Sequence, residues 1–300
     1  MSLPATVTVP GFVGCVNRTW WPFYILPIET QIGAMRELNQ TPMPIANDPL
    51  FKWPRARAKV WRYMDFSKLT SLLATKTLFF PRADRLQDEW EGAVPQNDVS
   101  ACGEMVAGSG EPQEDRATLI KNYPGAFSGF RRHTYVSCWH LNEGESAAMW
   151  RLYLKSDEGI ALQTSFGCLR KELNQSERRI HIGKVRYLNY KKGSIPGVLP
   201  DEIGPERMVA PFAPFIFKRL GFSHEKEVRC VFQDSYNHSD DPSESECGLG
   251  IEVNVGELVK GIYVAPGTPA WLRDTVQSIL DKFGIDRIVT SSEFDAPPAC

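Results

Sequence analysis

A long apolar run is missing from this 300-residue chain; the longest, Val209 to Phe217, is broken by Pro211 and Pro214. A membrane-spanning helix takes about 20 consecutive apolar residues, so none is expected. The N-terminus lacks a basic stretch followed by an apolar one, which argues against a signal peptide. Charge of one sign is missing too, because 34 Lys and Arg face 36 Asp and Glu for a formal net charge of −2. Non-specific nucleic-acid binding draws on clustered cations that displace counterions, and Arg131-Arg132-His133 and Arg178-Arg179 are too short to provide it. The seven cysteines (15, 102, 138, 168, 230, 247 and 300) are odd in number and contain no C-x-x-C spacing. Reduced thiols are therefore expected, not a disulfide framework. The five histidines, at 133, 140, 181, 224 and 238, include no pair at a metal-binding helical spacing, so no structural zinc site is expected. These absences describe a chain expected to stay in the cytoplasm, with no membrane partner and no nucleic-acid partner indicated by charge.

What is present suits an ordinary globular domain: 42% of residues are hydrophobic and 23% charged, and a chain of this length buries about three quarters of its unfolded surface. Residues 1–56 hold eight of the 22 prolines together with Trp20-Trp21 and Phe23-Tyr24. That composition excludes long helices and reads as an extended arm laid over a single domain at 57–300. Regular pattern begins with a strand at Lys59 to Tyr63, a helix capped by Asp65 or Ser67 with Phe66, Leu69, Leu72 and Leu73 on one face, and a strand at Thr77 to Phe80. Residues 92–129, rich in Gly, Pro and acid, read as a long surface loop with one short helical stretch near Ala117 to Asn122, and 195–214 as a second long loop.

Further strands are expected at Thr134 to Trp139, Gly159 to Thr164, Lys184 to Tyr190, Glu225 to Phe232, Gly250 to Val255, Gly261 to Val264 and Asp286 to Val289. Helices are expected at Glu145 to Leu154, at Phe166 to Leu173, and from Thr268 as N-cap with Pro269 at the first helical position to a stop at Gly284. Helices and strands mix without regular βαβ alternation or repeat, which makes the class α+β.

Chemistry concentrates in Glu225-Lys-Glu-Val-Arg229. In a strand, Glu225, Glu227 and Arg229 share a face, opposite Val228, Cys230 and Phe232. One reading is the charged, solvated face of an edge strand. The other is a carboxylate pair that stabilises an oxocarbenium-like transition state at a glycosidic bond, with the second carboxylate as general base toward an acceptor. Arg62, in the strand leading to the capped helix, suits paired hydrogen bonds to a diphosphate, and Ser137 lies mid-strand, where its hydroxyl can orient a carboxylate. Taken singly, these are an ion pair and a small residue in a tight sheet. Met149, Trp150 and Tyr153 fall at helical spacing and read as core before they read as a stacking platform. Asp88, Glu89 and Glu91 read as loop anchors before they read as metal ligands.

In order, Trp61-Arg-Tyr63, Leu78-Phe-Phe80, Asp88-Glu-Trp-Glu-Gly92, Ser137-Cys-Trp139, Glu145 to Tyr153 and Lys218-Arg219 through Arg229 resemble a mostly bacterial and phage-associated family, domain of unknown function 2971, over residues 58–290. The family's D-P-F-E-G stands here as Asp88-Glu-Trp-Glu-Gly92, without the proline. That family carries no assigned activity. A second resemblance does: arginine in a first strand, serine in a middle strand and E-x-E at a later one is the order of the arginine–serine–glutamate class of ADP-ribosyltransferases. It implies a split, twisted antiparallel or mixed β-core flanked by helices, with NAD as substrate and no metal.

Carried over, Arg62 anchors the dinucleotide, with Tyr63 and Trp139 beside it in the NAD site. Ser137 orients the glutamate, Glu227 contacts the nicotinamide ribose, and Glu225 deprotonates or positions the acceptor. The middle motif departs from the usual serine–threonine–serine, reading Val136-Ser-Cys138. The implied activity is NAD-consuming ADP-ribosyl transfer or NAD glycohydrolysis, in a toxin or anti-phage effector with a protein acceptor. The alternative is a non-catalytic module that binds a nucleotide or a protein in the same cleft, and a metal-dependent hydrolase on the acids at 88–91 is a third.

Overall fold

The computed structural model describes residues 50–108, 113–153, 158–199, 210–234 and 247–298. Most of the proline-rich arm, Cys15, Cys300 and the middle of the 195–214 segment therefore lie outside the described residues.

Strand β1 (Lys59–Asp65) ends where the Asp65 carboxylate accepts the Lys68 amide at 2.9 Å. That cap starts helix α1 (Phe66–Thr75), which buries Leu69, Leu72 and Leu73. Lys76, at φ 53°, turns the chain back into strand β2 (Thr77–Pro81). Two helices follow, α2 (Gln96–Ala107) and α3 (Gln113–Phe130), where the composition suggests a loop. They form because Cys102 and Val106 on one, and Tyr123, Phe127 and Phe130 on the other, bury against Phe212 and Phe215, a gain that outweighs Pro124 inside α3.

Then come strand β3 (Thr134–Leu141), helix α4 (Ala147–Tyr153), strand β4 (Gly159–Ser165) and helix α5 (Phe166–Leu173). The expected strand at Lys184 to Tyr190 is two short ones, β5 (His181–Lys184) and β6 (Arg186–Leu188). Within 195–214 the described residues are largely buried: Ile195, Val198, Phe212 and Ala213 all pack in the core. Strands β7 (Phe217–Arg219) and β8 (Glu227–Gln233) follow.

The C-terminal part holds β9 (Gly248–Glu252), the single turn α6 (Val255–Leu258), β10 (Gly261–Val264), α7 (Ala270–Lys282) and β11 (Val289–Ser291). Pro269, not Thr268, holds the cap of α7, its extended ψ of 147° placing it before the first turn. Gly284, at φ 68°, ends that helix as expected.

Seven strands form one mixed sheet in the order β11-β10-β4-β1-β3-β8-β5. Every pair is antiparallel except β10 with β11, and β2 pairs with β9 in a separate ladder. The class is α+β, a mixed β-core flanked by helices. Strand β1 pairs with β4 along all seven of its residues, and β3 pairs with β8 from Thr134 to His140. Between β1 and β3, however, only Val60 with Leu141 and Trp61 with His140 are in register. The sheet is thus split along its middle.

Each face is covered differently. On the first, α1, α5, α7 and the β2–β9 ladder bury Val60, Trp139, Ile160, Val228, Cys230 and Phe232. On the second, α2, α3 and the 210–216 turn cover Val136 and Val231, while α4 covers Trp61, Tyr63 and Ala161. At the β5 edge, Lys184 N–H donates to the Lys52 carbonyl at 2.9 Å and the Phe51 ring stacks on His181 at 4.9 Å. The end of the arm thereby covers backbone groups that an exposed edge strand would leave open.

Candidate functional site

The three sequence motifs fall on three consecutive strands, β1, β3 and β8. Alternation along β1 places Arg62 on the first face, and across the split its Nη1 donates to Ser137 Oγ at 2.9 Å. Its Nη2 donates to the Phe79 carbonyl on β2 at 2.8 Å. Trp139 supports the pair from the same face: its Nε1 donates to Ser137 Oγ at 3.2 Å, and its ring lies 5.7 Å from the Arg62 guanidinium. Trp139 and Ser137 are fully buried while Arg62 is half-buried, so the arginine is the member of this group that reaches solvent. Burial lowers the Arg62 pKa, an effect that the neighbouring Cys138, Cys230 and Tyr153 offset only in part.

Glu227 lies on the second face. Ser137 pairs with Cys230 and His140 with Glu227, and side chains opposite each other in an antiparallel pair share a face. Ser137 therefore binds Arg62 and not the glutamate that the resemblance assigns to it. Tyr63 also belongs to the second face: its ring meets Trp150 edge-on at 4.9 Å and its hydroxyl accepts the Ser146 amide at 2.9 Å.

The E-x-E is not a strand face either. Glu225 ends a 3₁₀ turn, Lys226 adopts φ 42°, and the strand starts at Glu227. β8 is central, flanked by β3 and β5, so the solvated-edge reading is overturned. Both carboxylates nevertheless converge on Lys218 of β7, whose Nζ is 2.5 Å from Glu225 Oε2 and 3.4 Å from Glu227 Oε1. Arg229, fully buried, donates from Nη2 to Glu227 Oε2 at 2.6 Å and from Nη1 to Glu91 Oε2 at 2.7 Å and the Phe215 carbonyl at 2.7 Å. Lys218 also stands 3.5 Å from Glu91 Oε1. Three carboxylates and two cations thus share one enclosure, leaving a net charge of −1 when all are ionised.

Their environments push the two key carboxylates apart. Burial works against ionisation of Glu227, but Arg229 and Lys218 outweigh it and hold the group below the usual carboxylate range. Burial and the neighbouring Glu227 raise Glu225 above it. Such a difference makes Glu227 the readier anion and Glu225 the readier base of the two. Lys218 is held protonated, since its burial is outweighed chiefly by Glu227.

Other groups complete the second face. Cys138, beside Arg229 in register, is half-buried, and burial together with Glu227 pushes its thiol up to about 12, so it carries no thiolate. Tyr153, read from spacing as core, is 43% exposed, unlike its buried helix mates Met149 and Trp150. Its phenol feels Glu227 and Glu225, and Arg62 in turn feels the phenol. Tyr153 ends α4, the helix that covers this part of the second face. Asp88 pairs with Arg219 at 2.8 Å and Glu91 with Arg229, so these acids anchor the loop. Among the described residues no group of His, Cys, Asp and Glu has the arrangement of a metal site. Sequence reasoning missed Lys218 as a partner of the glutamates, and its signal was a lysine directly after the apolar run that ends at Phe217.

No family model matches the chain, and no curated protein matches it. Among solved structures it is similar to DarT from Thermus sp. 2.9 in complex with NAD+, at 10% identity and TM-score 0.36, covering 82% of this chain and 100% of that one. It is similar also to the same protein in complex with carba-NAD+, at 11% identity and TM-score 0.35, covering 81% of this chain and 98% of that one.

Proposed function

We propose that this chain binds NAD across the split in its sheet and breaks the nicotinamide–ribose bond, passing ADP-ribose to an acceptor or to water. The observation that supports this reading is the bond from Arg62 Nη1 on β1 to Ser137 Oγ on β3 at 2.9 Å, β3 being the strand that pairs with β8, which carries Glu227. Arg62 presents a guanidinium suited to a diphosphate. Glu227 is the anion held ready for the positive charge that develops on the ribose, and electrostatic stabilisation of that kind requires no reorganisation during the reaction. Glu225 is the proton acceptor for the incoming nucleophile. Tyr153, exposed at the end of α4, offers the nicotinamide ring an aromatic face. A cytoplasmic toxin or defence effector is the role that fits a protein whose activity depletes NAD.

Calorimetric titration with NAD tests the binding half of this reading. The wild type is expected to bind, and Arg62→Lys, which keeps the charge but loses the planar fork, to bind at least tenfold more weakly, about 1.4 kcal/mol. Absence of NAD binding by the folded wild type contradicts the proposal.

A further inference from the structure

Resting on the NAD-consuming reading above, we propose that the acceptor is an uncharged O–H or N–H nucleophile, water included, and that Lys218 excludes guanidinium and ammonium acceptors. A cationic acceptor needs a bare carboxylate to dock on. The Lys218 ammonium already lies 2.5 Å from Glu225 Oε2 and 3.4 Å from Glu227 Oε1, so a cationic acceptor would have to share either carboxylate with it. The remaining Glu227 oxygen is held by Arg229 at 2.6 Å. Lys218 is not free to swing aside: it lies 4.7 Å from the Phe222 ring centre and 3.5 Å from Glu91. Beside Glu225, Arg219 shares the Phe222 ring while pairing with Asp88 at 2.8 Å, and the exposed Lys226 follows the carboxylate in sequence. A cation arriving at this rim meets cations, whereas a neutral hydroxyl, amide or ring nitrogen does not.

The step balances with such an acceptor. The bond from ribose C1′ to the pyridinium nitrogen breaks with its electron pair going to nitrogen, and neutral nicotinamide leaves. A lone pair on the acceptor oxygen or nitrogen forms the new bond to C1′. The acceptor's proton passes to the Glu225 carboxylate and from there to solvent. With water the products are ADP-ribose, nicotinamide and a proton.

Product partition tests the inference on the full-length wild type supplied with NAD, with methanol as neutral probe and agmatine as guanidinium probe, resolved by mass spectrometry. Methanol is expected to divert ADP-ribose into its methyl glycoside, or water alone to take it, while agmatine leaves the product distribution unchanged. Lys218→Gln, with folding checked by circular dichroism, is expected to turn agmatine into an acceptor. ADP-ribosyl-agmatine formed by the wild type overturns the inference and leaves NAD consumption standing. A folded Lys218→Gln protein that still refuses agmatine overturns the assignment of the exclusion to Lys218, and if that variant does not fold the wild-type partition decides. No nicotinamide release under any condition overturns both readings.

Discussion

Arg229 is the residue on which the second face depends. Its guanidinium is fully buried and joins Glu91 to Glu227, so its removal leaves those two buried carboxylates with Lys218, which Glu225 already engages, as their shared cation. Breaking one side of a buried pair costs about 3–5 kcal/mol. Arg229→Met is accordingly expected to lose that much in urea denaturation, and adding Glu91→Gln to restore part of it. His181 makes a separate prediction about pH. Its ring is packed between Phe51 and Phe212, and burial pulls its pKa down to about 3. An unfolded histidine takes up its proton near 6.5. Between those values the unfolded chain binds more protons than the folded one, so stability falls as pH drops from 6.5 toward 3, by up to about 1.4 kcal/mol per unit. Urea denaturation across that range is expected to show a flatter profile for His181→Phe; an unchanged slope contradicts the assignment.

At the scale of elements, periodic segments were the legible ones. α5 forms over the residues that spacing assigns to it, and α1 takes Asp65, one of the two residues named as its cap. Asp65→Ala is expected to cost about 1 kcal/mol in thermal or urea unfolding, the size of a lost N-cap. The helical hairpin α2–α3 was not legible, because Gly, Pro and acidic residues dominate its surface while the aromatics that hold it pack against Phe212 and Phe215, about a hundred residues away in sequence. The E-x-E misled for a local reason: the left-handed conformation of Lys226 breaks the period of two, yet still delivers Glu225 and Glu227 to one lysine. The edge at β5 depends on a missing side chain. A Cβ at Gly183 would stand 2.8 Å from Phe51 Cα, which is backbone and cannot move aside. Gly183→Ala is therefore expected to destabilise by about 1–3 kcal/mol, through displacement of residues 50–56, read as a lower denaturation midpoint.

For the whole molecule, the mixture of helices and strands was enough to give the class, but not the order of strands. That order depends on which non-local pairs bury the most surface, and no local pattern encodes it. Its consequence is that segments at 59–65, 134–141 and 227–233 lie side by side, with a split between the first two. Arg62 and Ser137 could be named from sequence, but their contact across the split could not, nor could the placement of Glu227 on the opposite face. One measurement tests the resulting account most directly: release of nicotinamide from NAD by the purified wild type beside Glu227→Gln, which keeps size but removes the charge. The account predicts turnover by the wild type and a loss of roughly 10²–10³-fold in the variant, the size of removing one electrostatic stabiliser. Equal release by the two folded proteins, or none by the wild type, contradicts it.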